Sequence, residues 1–444
     1  MPKSKIDLSK LSLNLDGCRF GDGLQNLRRP HESPSPKQQS TESNHQEDEH
    51  HNLESHYINH EQITNKHRHK PEPEILSPLG TTYRSQELSI GNNFLRFKGS
   101  TFASCASSKD ELEVLECIGR GGFSTVWKAR RTTDEEEKYY ALKMFCMQSH
   151  ERRRMLLREL KLLCTAAGGG GDSNSDTTHE DGGVFGGNGG RECLVQLEGA
   201  FFDFDEGAVT LVLEFMDRGS ISDLLNCNSN GLPTSPLFRG LSPRTSYRSV
   251  KLPEYAIAAI GYQVMWGLGF LHFQSVLHRD IKPANVLISS SGRVKLADFG
   301  IVSQREVQDD ETSLQMNATV IGTTRYMSPE RLRGKPYTMS SDVWSLGLVL
   351  LECLLGASPF EGISSVVELV QTLDECEMSE YIPASTSNGL REILLGCLSH
   401  TYQKRMPVSV MITSPWFLSY KITNVEIASK LMREYLNDRY LSLS

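Results

Sequence analysis

The chain has no paired C-x-x-C, no run of about eighteen apolar residues and no excess of basic charge, and each absence removes a class of protein. Ten cysteines lie scattered through 444 residues, so neither a zinc ribbon nor a disulfide framework is indicated, and a chain this long needs no cross-links to build a core. Reduced thiols are the expectation. Without a long apolar run no spanning helix is expected, and Met1 to Asp16 carries Lys3, Lys5 and Lys10 where a signal peptide would have an unbroken apolar core. A soluble, intracellular protein without membrane contact is therefore expected. With 47 basic against 55 acidic residues the formal charge is −8, which argues against general nucleic-acid binding, because phosphate contacts need clustered Lys and Arg.

Large apolar residues are also scarce from Gln25 to about Pro78, where Ser, Gln, Asn, His, Glu and Pro dominate. Such a stretch buries too little surface to offset its chain entropy, so 1–110 reads as a largely disordered region. Seven histidines fall between Thr41 and Lys70; they lack fixed spacing and any Cys partner, and solvated low complexity describes them better than metal binding. A packed domain is expected over 111–417. Its first strand alternates from Glu111 and a second runs from Tyr139 to Phe145. Two stretches rich in Gly, Ser, Asp, Asn or Pro, 165–191 and 227–251, read as flexible surface insertions. After Phe417, apolar residues at Ile427, Leu431, Tyr435 and Leu436 have a helical period, so the tail 418–444 should contain a helix.

What is present then carries chemistry. Ile118-Gly119-Arg120-Gly121-Gly122-Phe123-Ser124-Thr125-Val126 places glycines between two strands, where backbone amides can close over phosphates; alone it is equally a glycine-rich hairpin turn. Ala141-Leu142-Lys143 puts a lysine in an apolar strand, which is costly unless its charge is matched. A helical segment from Glu151 to Leu163 offers Glu159 as the match, with Leu156, Leu160 and Leu163 on a neighbouring face; a solvated glutamate beside Arg158 is the plainer alternative. His278-Arg279-Asp280-Ile281-Lys282-Pro283-Ala284-Asn285, followed by Asp298-Phe299-Gly300, completes the set. It supplies a carboxylate for an attacking hydroxyl (Asp280), a cation for phosphoryl oxygens (Lys282), and oxygen donors for Mg2+ (Asn285, Asp298), the parts that phosphoryl transfer from ATP requires.

Over roughly Glu111 to Phe417 these motifs resemble the eukaryotic protein kinase family. The resemblance implies an α+β, two-lobed fold: a five-stranded N-lobe with one main helix over 111–215, a mainly helical C-lobe over 216–417, and ATP between them. Ser328-Pro329-Glu330, Asp342-Val343-Trp344-Ser345-Leu346-Gly347 and Arg405, which the family pairs with Glu330, agree. One departure is Ser124 in place of the loop's third glycine, from which altered nucleotide affinity is expected.

Within that family, Leu213-Glu214-Phe215-Met216-Asp217-Arg218-Gly219-Ser220 and Gly322-Thr323-Thr324-Arg325-Tyr326-Met327-Ser328-Pro329-Glu330-Arg331 resemble MAP kinase kinases. The resemblance makes Leu213 the gatekeeper, gives adenine the backbone groups of Glu214 and Met216, places Ala141 and Leu287 in the ATP site, and has Thr323 support Asp280 and Lys282. It implies a dual-specificity enzyme that phosphorylates Thr and Tyr of a downstream MAP kinase and is activated by an upstream kinase. The activation sites resemble the wider plant-type spacing, Ser313 with Thr319, Thr312 being a substitute for the first. Residues 3–15, with Lys3, Lys5, Lys10, Leu11 and Leu13, resemble the family's MAP kinase docking site; Leu8, Leu11, Leu13 and Leu15 also fit a nuclear export signal, so a cytoplasmic protein that shuttles with the nucleus is one expectation. A monomer is expected. The rival readings are a Ser/Thr kinase of the Ste20 or MAP kinase kinase kinase type and a pseudokinase scaffold.

Overall fold

The computed structural model divides into two units, Met1–Pro71 and Glu72–Ser444, and every residue described below lies in the second. Backbone and side chains are described for 111–121, 124–132, 137–146, 156, 159–160, 163, 185, 190–203, 207–226, 250–298 and 324–439. Backbone alone is described for 75–76, 82–84, 88–91, 95–97, 227, 248–249 and 440–441.

Regular structure begins earlier than the sequence led us to expect. β1 (Ile75–Leu76), β2 (Thr82–Arg84), β3 (Leu88–Gly91) and β4 (Leu95–Phe97) form a four-stranded antiparallel sheet in sequential order. Strands of two to four residues are too short to show a clear period against a polar background, which is why 1–110 read as unstructured. β3 and β4 lie against β8 (Leu197–Asp203), an edge strand of the next sheet.

That second sheet contains β5 (Leu112–Arg120), β6 (Ser124–Arg131), β7 (Tyr139–Cys146), β8 and β9 (Ala208–Glu214) in the order β5-β6-β7-β9-β8, all neighbours antiparallel. Side chains alternate across a strand, so the two faces of β7 bury different partners. Tyr140 and Leu142 pack with Leu112, Ala129, Phe201 and Val212 on one face. Phe145 on the other joins Val209, Leu211 and Leu213 and the main core, which includes Leu156, Leu160 and Leu163 of a helix. Lys143 has the parity of Phe145, so it faces that helix.

The remainder is mainly helical. α1 (Ile221–Leu225) is capped by Ser220; β10 (Asn226–Cys227) pairs with β11 (Arg248–Ser249), closing the neck of the second insertion. The long α2 (Glu254–Phe273) is followed by the hairpin of β12 (Val286–Ile288) and β13 (Val294–Leu296). Then come α3 (Pro329–Leu332), α4 (Met339–Leu355), α5 (Val366–Glu375), α6 (Asn388–Cys397), α7 (Val408–Met411), α8 (Pro415–Ser419) and α9 (Val425–Leu441). By length and composition α2 could cross a membrane. Its apolar residues instead meet α4, α7, α8, α9 and β13 on successive sides, which explains why it lacks a polar face. α9 buries Ala428, Met432, Tyr435 and Leu436, a stripe slightly rotated from the one read in the sequence, since Ile427 and Leu431 sit at its border.

The first insertion is corrected at its C-terminal end. Phe185, within a glycine-rich run, is buried and meets the ring of Trp266 edge-on at 5.2 Å. Gly269 of α2 makes room for it: a Cβ there would lie 2.4 Å from the phenyl ring. Gly190 similarly rests on α2, where a Cβ would lie 2.7 Å from the Trp266 carbonyl oxygen. Glycine here permits close approach and does not signal an exposed loop.

Candidate active site

Lys143 sits at the middle of the sheet, opposite Val126 of β6 and Leu211 of β9. Its Nζ donates to Glu159 Oε1 at 2.7 Å and to Asp298 Oδ1 at 2.6 Å. Lys143 and Glu159 are 2 % and 1 % exposed, so neither charge would be tolerated alone. One ammonium therefore serves two carboxylates. Burial raises Glu159 to about 7, with Lys143 pulling it back and Asp298 adding to the rise; its Oε2 is buried without a partner. For Asp298, burial opposes the charge but Lys143 outweighs it and holds the group below its ordinary range. Lys143 itself is kept above its usual value, since Asp298 and Glu159 together exceed the penalty of burial.

The second cluster is built on Asp342 near the start of α4, a fully buried carboxylate. It accepts from the backbone amides of His278 at 2.9 Å and Arg279 at 2.8 Å, from Tyr337 Oη at 3.0 Å, and pairs with His272 Nε2 at 3.0 Å. These bonds fix a backbone that is locally strained, Arg279 having φ +70°. Asp280 follows directly. Its Oδ2 accepts from Lys282 Nζ and from Asn285 Nδ2, both at 2.8 Å, and Asn285 Nδ2 also reaches the Asp280 carbonyl at 2.8 Å. Burial raises the Asp280 carboxyl, and Lys282 opposes the rise. Pro283 opens the 3-10 turn Pro283–Asn285 that brings Asn285 back toward Asp280.

The two clusters meet through the hairpin. Asn285 precedes β12, Asp298 follows β13, and the Ala297 amide donates to the Asn285 carbonyl at 2.9 Å. Asp298 has φ +60°, a conformation that aspartate adopts more readily than most residues. With both Asn285 amide hydrogens turned to Asp280 and one Asp298 oxygen on Lys143, Asn285 Oδ1 and Asp298 Oδ2 remain as acceptors. An amide and a carboxylate oxygen on adjoining backbone suit a hard cation such as Mg2+.

A family model described as "Protein kinase domain" matches residues 189–417, just over half of the chain. The chain belongs to the protein kinase family. It is 34 % identical over 234 residues to Mitogen-activated protein kinase kinase SIPKK of Nicotiana tabacum, covering 51 % of this chain and 58 % of that one. It is 32 % identical over 244 residues to Mitogen-activated protein kinase kinase 3 of Arabidopsis thaliana, covering 54 % and 41 %. To MAP kinase kinase skh1/pek1 of Schizosaccharomyces pombe it is 28 % identical over 256 residues, covering 55 % and 62 %. The kinase thus spans about half the length of the curated relatives it matches. The family match begins after Lys143 and Glu159, so the bonds that join them to Asp298 are what tie the sheet to the matched segment.

The remaining expected nucleotide residues of the kinase fall on or beside the sheet. Gly119 pairs with Val126 and Arg120 with Thr125 across β5 and β6, and the Gly121 amide donates to the Ser124 carbonyl at 2.8 Å; Ile118 lies on β5. Ala141 lies opposite Leu213, Met216 is buried, and Leu287 of β12 bridges Ser220. Gly122, Phe123, Thr323, Ser313, Thr319, Lys3, Lys5, Lys10, Leu11 and Leu13 lie outside the described residues. Arg405 meets Glu330 with both ends of its guanidinium, at 2.8 and 2.7 Å.

Two contributors were not singled out from the sequence. Asp342 was read only as the start of a helix; the signal the sequence offered was a carboxylate leading directly into the apolar Val343 and Trp344, where a charge needs partners. Glu214 was credited with backbone groups alone; its Oε1 also accepts from Lys295 Nζ at 2.6 Å and from the Gln196 amide at 2.8 Å, a pairing across 81 residues that no local pattern reveals.

Proposed function

We propose that this kinase is a dual-specificity MAP kinase kinase, transferring the ATP γ-phosphate to Thr and Tyr in the activation loop of a MAP kinase. The observation that supports its phosphoryl-transfer part is Lys143 bonded at once to Glu159 and Asp298, a geometry in which one lysine can hold nucleotide phosphates beside the metal donors. The sheet forms the smaller lobe over 111–215 and the helices the larger over 216–417, with ATP between them. The glycine segment Gly119–Ser124 covers the phosphates, Ala141, Leu213 and Leu287 enclose adenine, and the backbone of Glu214 and Met216 hydrogen-bonds it. Asn285 and Asp298 would hold Mg2+, which would neutralise phosphate charge there. Asp280 orients the attacking hydroxyl and takes up its proton, while Lys282 stands by the phosphoryl oxygens.

The names of the relatives support the substrate class, and the hinge and Pro-Glu stretches support it from the sequence. Phosphorylation of Ser313 and Thr319 by an upstream MAP kinase kinase kinase switches the enzyme on, and residues 3–15 dock the MAP kinase. The protein acts as a cytoplasmic monomer. The test is to incubate a Ser313→Glu, Thr319→Glu form with a panel of kinase-dead MAP kinases and map the product. Phosphate on both Thr and Tyr of one member is expected. Modification of generic basic substrates alone would leave a kinase of another subfamily.

A further inference from the structure

The β12–β13 hairpin carries Asn285 at one strand's entrance and Asp298 at the other's exit, and its turn points away from them. That turn is held by the C-terminal helix. Gln263 of α2, fully buried, is the central node. Its Oε1 accepts from the Val294 amide at 3.0 Å and from Ser429 Oγ of α9 at 2.9 Å. Its Nε2 donates to the Gly292 carbonyl and to the Ala259 carbonyl, each at 3.2 Å. Three of the amide's four bonds thus join α2 to the hairpin and to α9, and the fourth returns to α2 itself. Gly292, at φ +82°, lies so close to α9 that a Cβ would come within 2.0 Å of the Ser429 carbonyl oxygen. Arg293 completes the grip, pairing with Glu426 of α9 and, at 3.3 Å, with Glu192 just before β8.

A buried amide with every donor and acceptor engaged leaves its partners little freedom, because each misplaced atom would strand a polar group away from water. The hairpin strands are three residues each, so the turn is roughly 10 Å from the donors. Displacing the turn therefore tilts both donors together. On the reading that Asn285 and Asp298 hold the metal, we infer that α9 is a positioning element for the metal seat, acting through Ser429, Gln263 and Gly292, and that its bonds to the hairpin turn and affinity for the divalent cation are coupled.

The experiment measures binding of Mn2+, as a spectroscopic stand-in for Mg2+, to the ADP complex of the full chain by electron paramagnetic resonance. ADP affinity in chelator and the thermal midpoint are recorded beside it. Ser429→Ala removes one hydroxyl from the node and should weaken Mn2+ binding by about two- to fivefold, less than the loss seen when a group bonded directly to a metal ligand is removed, while ADP affinity without metal is unchanged. Arg293→Ala should weaken it as well, and Arg293→Lys, which keeps the charge toward Glu426 and Glu192, should restore it. Unchanged Mn2+ binding in Ser429→Ala, with or without a lower thermal midpoint, overturns the inference and leaves α9 a stabilising element only. Equal loss of metal-free ADP binding overturns it too, since that reports general loosening. Asp298→Asn separates the underlying assignment: if it binds Mn2+ like the wild type, the donors are misassigned, whatever Ser429 does.

Discussion

At the scale of single residues, the molecule repeatedly solves one problem, the buried charge, by giving each ion several partners. Glu330 is the clearest case for a stability measurement. It is 5 % exposed; burial opposes its charge, but Arg405, which meets both of its oxygens, outweighs that and holds it at about 2. Between pH 2 and the ordinary carboxylate range the folded chain then binds fewer protons than the unfolded one. Its contribution, about 3 kcal/mol at neutral pH, is complete above roughly pH 4.5 and is lost as pH falls through about 2. A Glu330→Gln form should start less stable at pH 6 and lose less on acidification, read from denaturant midpoints at successive pH values. Parallel acid profiles for the two proteins would contradict the assignment. The pairing of Glu330 with Arg405 was legible in the sequence because both stand in motif positions. The Glu214 pairing with Lys295 was not, because a hinge glutamate and a strand lysine are each unremarkable by themselves.

At the scale of elements, the alternation in Tyr139–Cys146 and the spacing of Leu156, Glu159, Leu160 and Leu163 allowed Lys143 and Glu159 to face each other, and the motifs that follow favoured that pair over a solvated Glu159. Strict periods belong to elements with one covered face, and both elements have one. Short periods, and glycines that serve packing, leave no such pattern. Strands β1 to β4 are too brief to register, and the glycines around Phe185 looked like loop residues although they allow close contact with α2. Phe185 gives the test at this scale. A surface loop residue would change stability by less than about 0.5 kcal/mol, whereas Phe185→Ala should cost about 3 kcal/mol or more, because it empties the site against Trp266 and Gly269. Thermal and urea unfolding decide between them, and a neutral substitution would return the insertion to the surface.

At the scale of the whole molecule, the sheet and the helical part contribute different halves of one site. The sheet supplies Lys143 and, through the helix packed on it, Glu159; the helical part supplies Asp280, Lys282, Asn285 and Asp298. Bonds from Lys143 to Asp298 and from Glu214 to Lys295 cross between them and tie the two halves together. Geometry of this kind positions reactants and charges more than it performs covalent chemistry. The central claim is that Asp280 acts on the acceptor hydroxyl while the nucleotide is held elsewhere. Its most direct test is single-turnover phosphoryl transfer to a kinase-dead MAP kinase by the Ser313→Glu, Thr319→Glu form, with and without Asp280→Asn. Transfer should fall by about 10²- to 10⁴-fold with ADP affinity unchanged. A rate within threefold of the parent, or a matching loss of nucleotide affinity, would contradict the account.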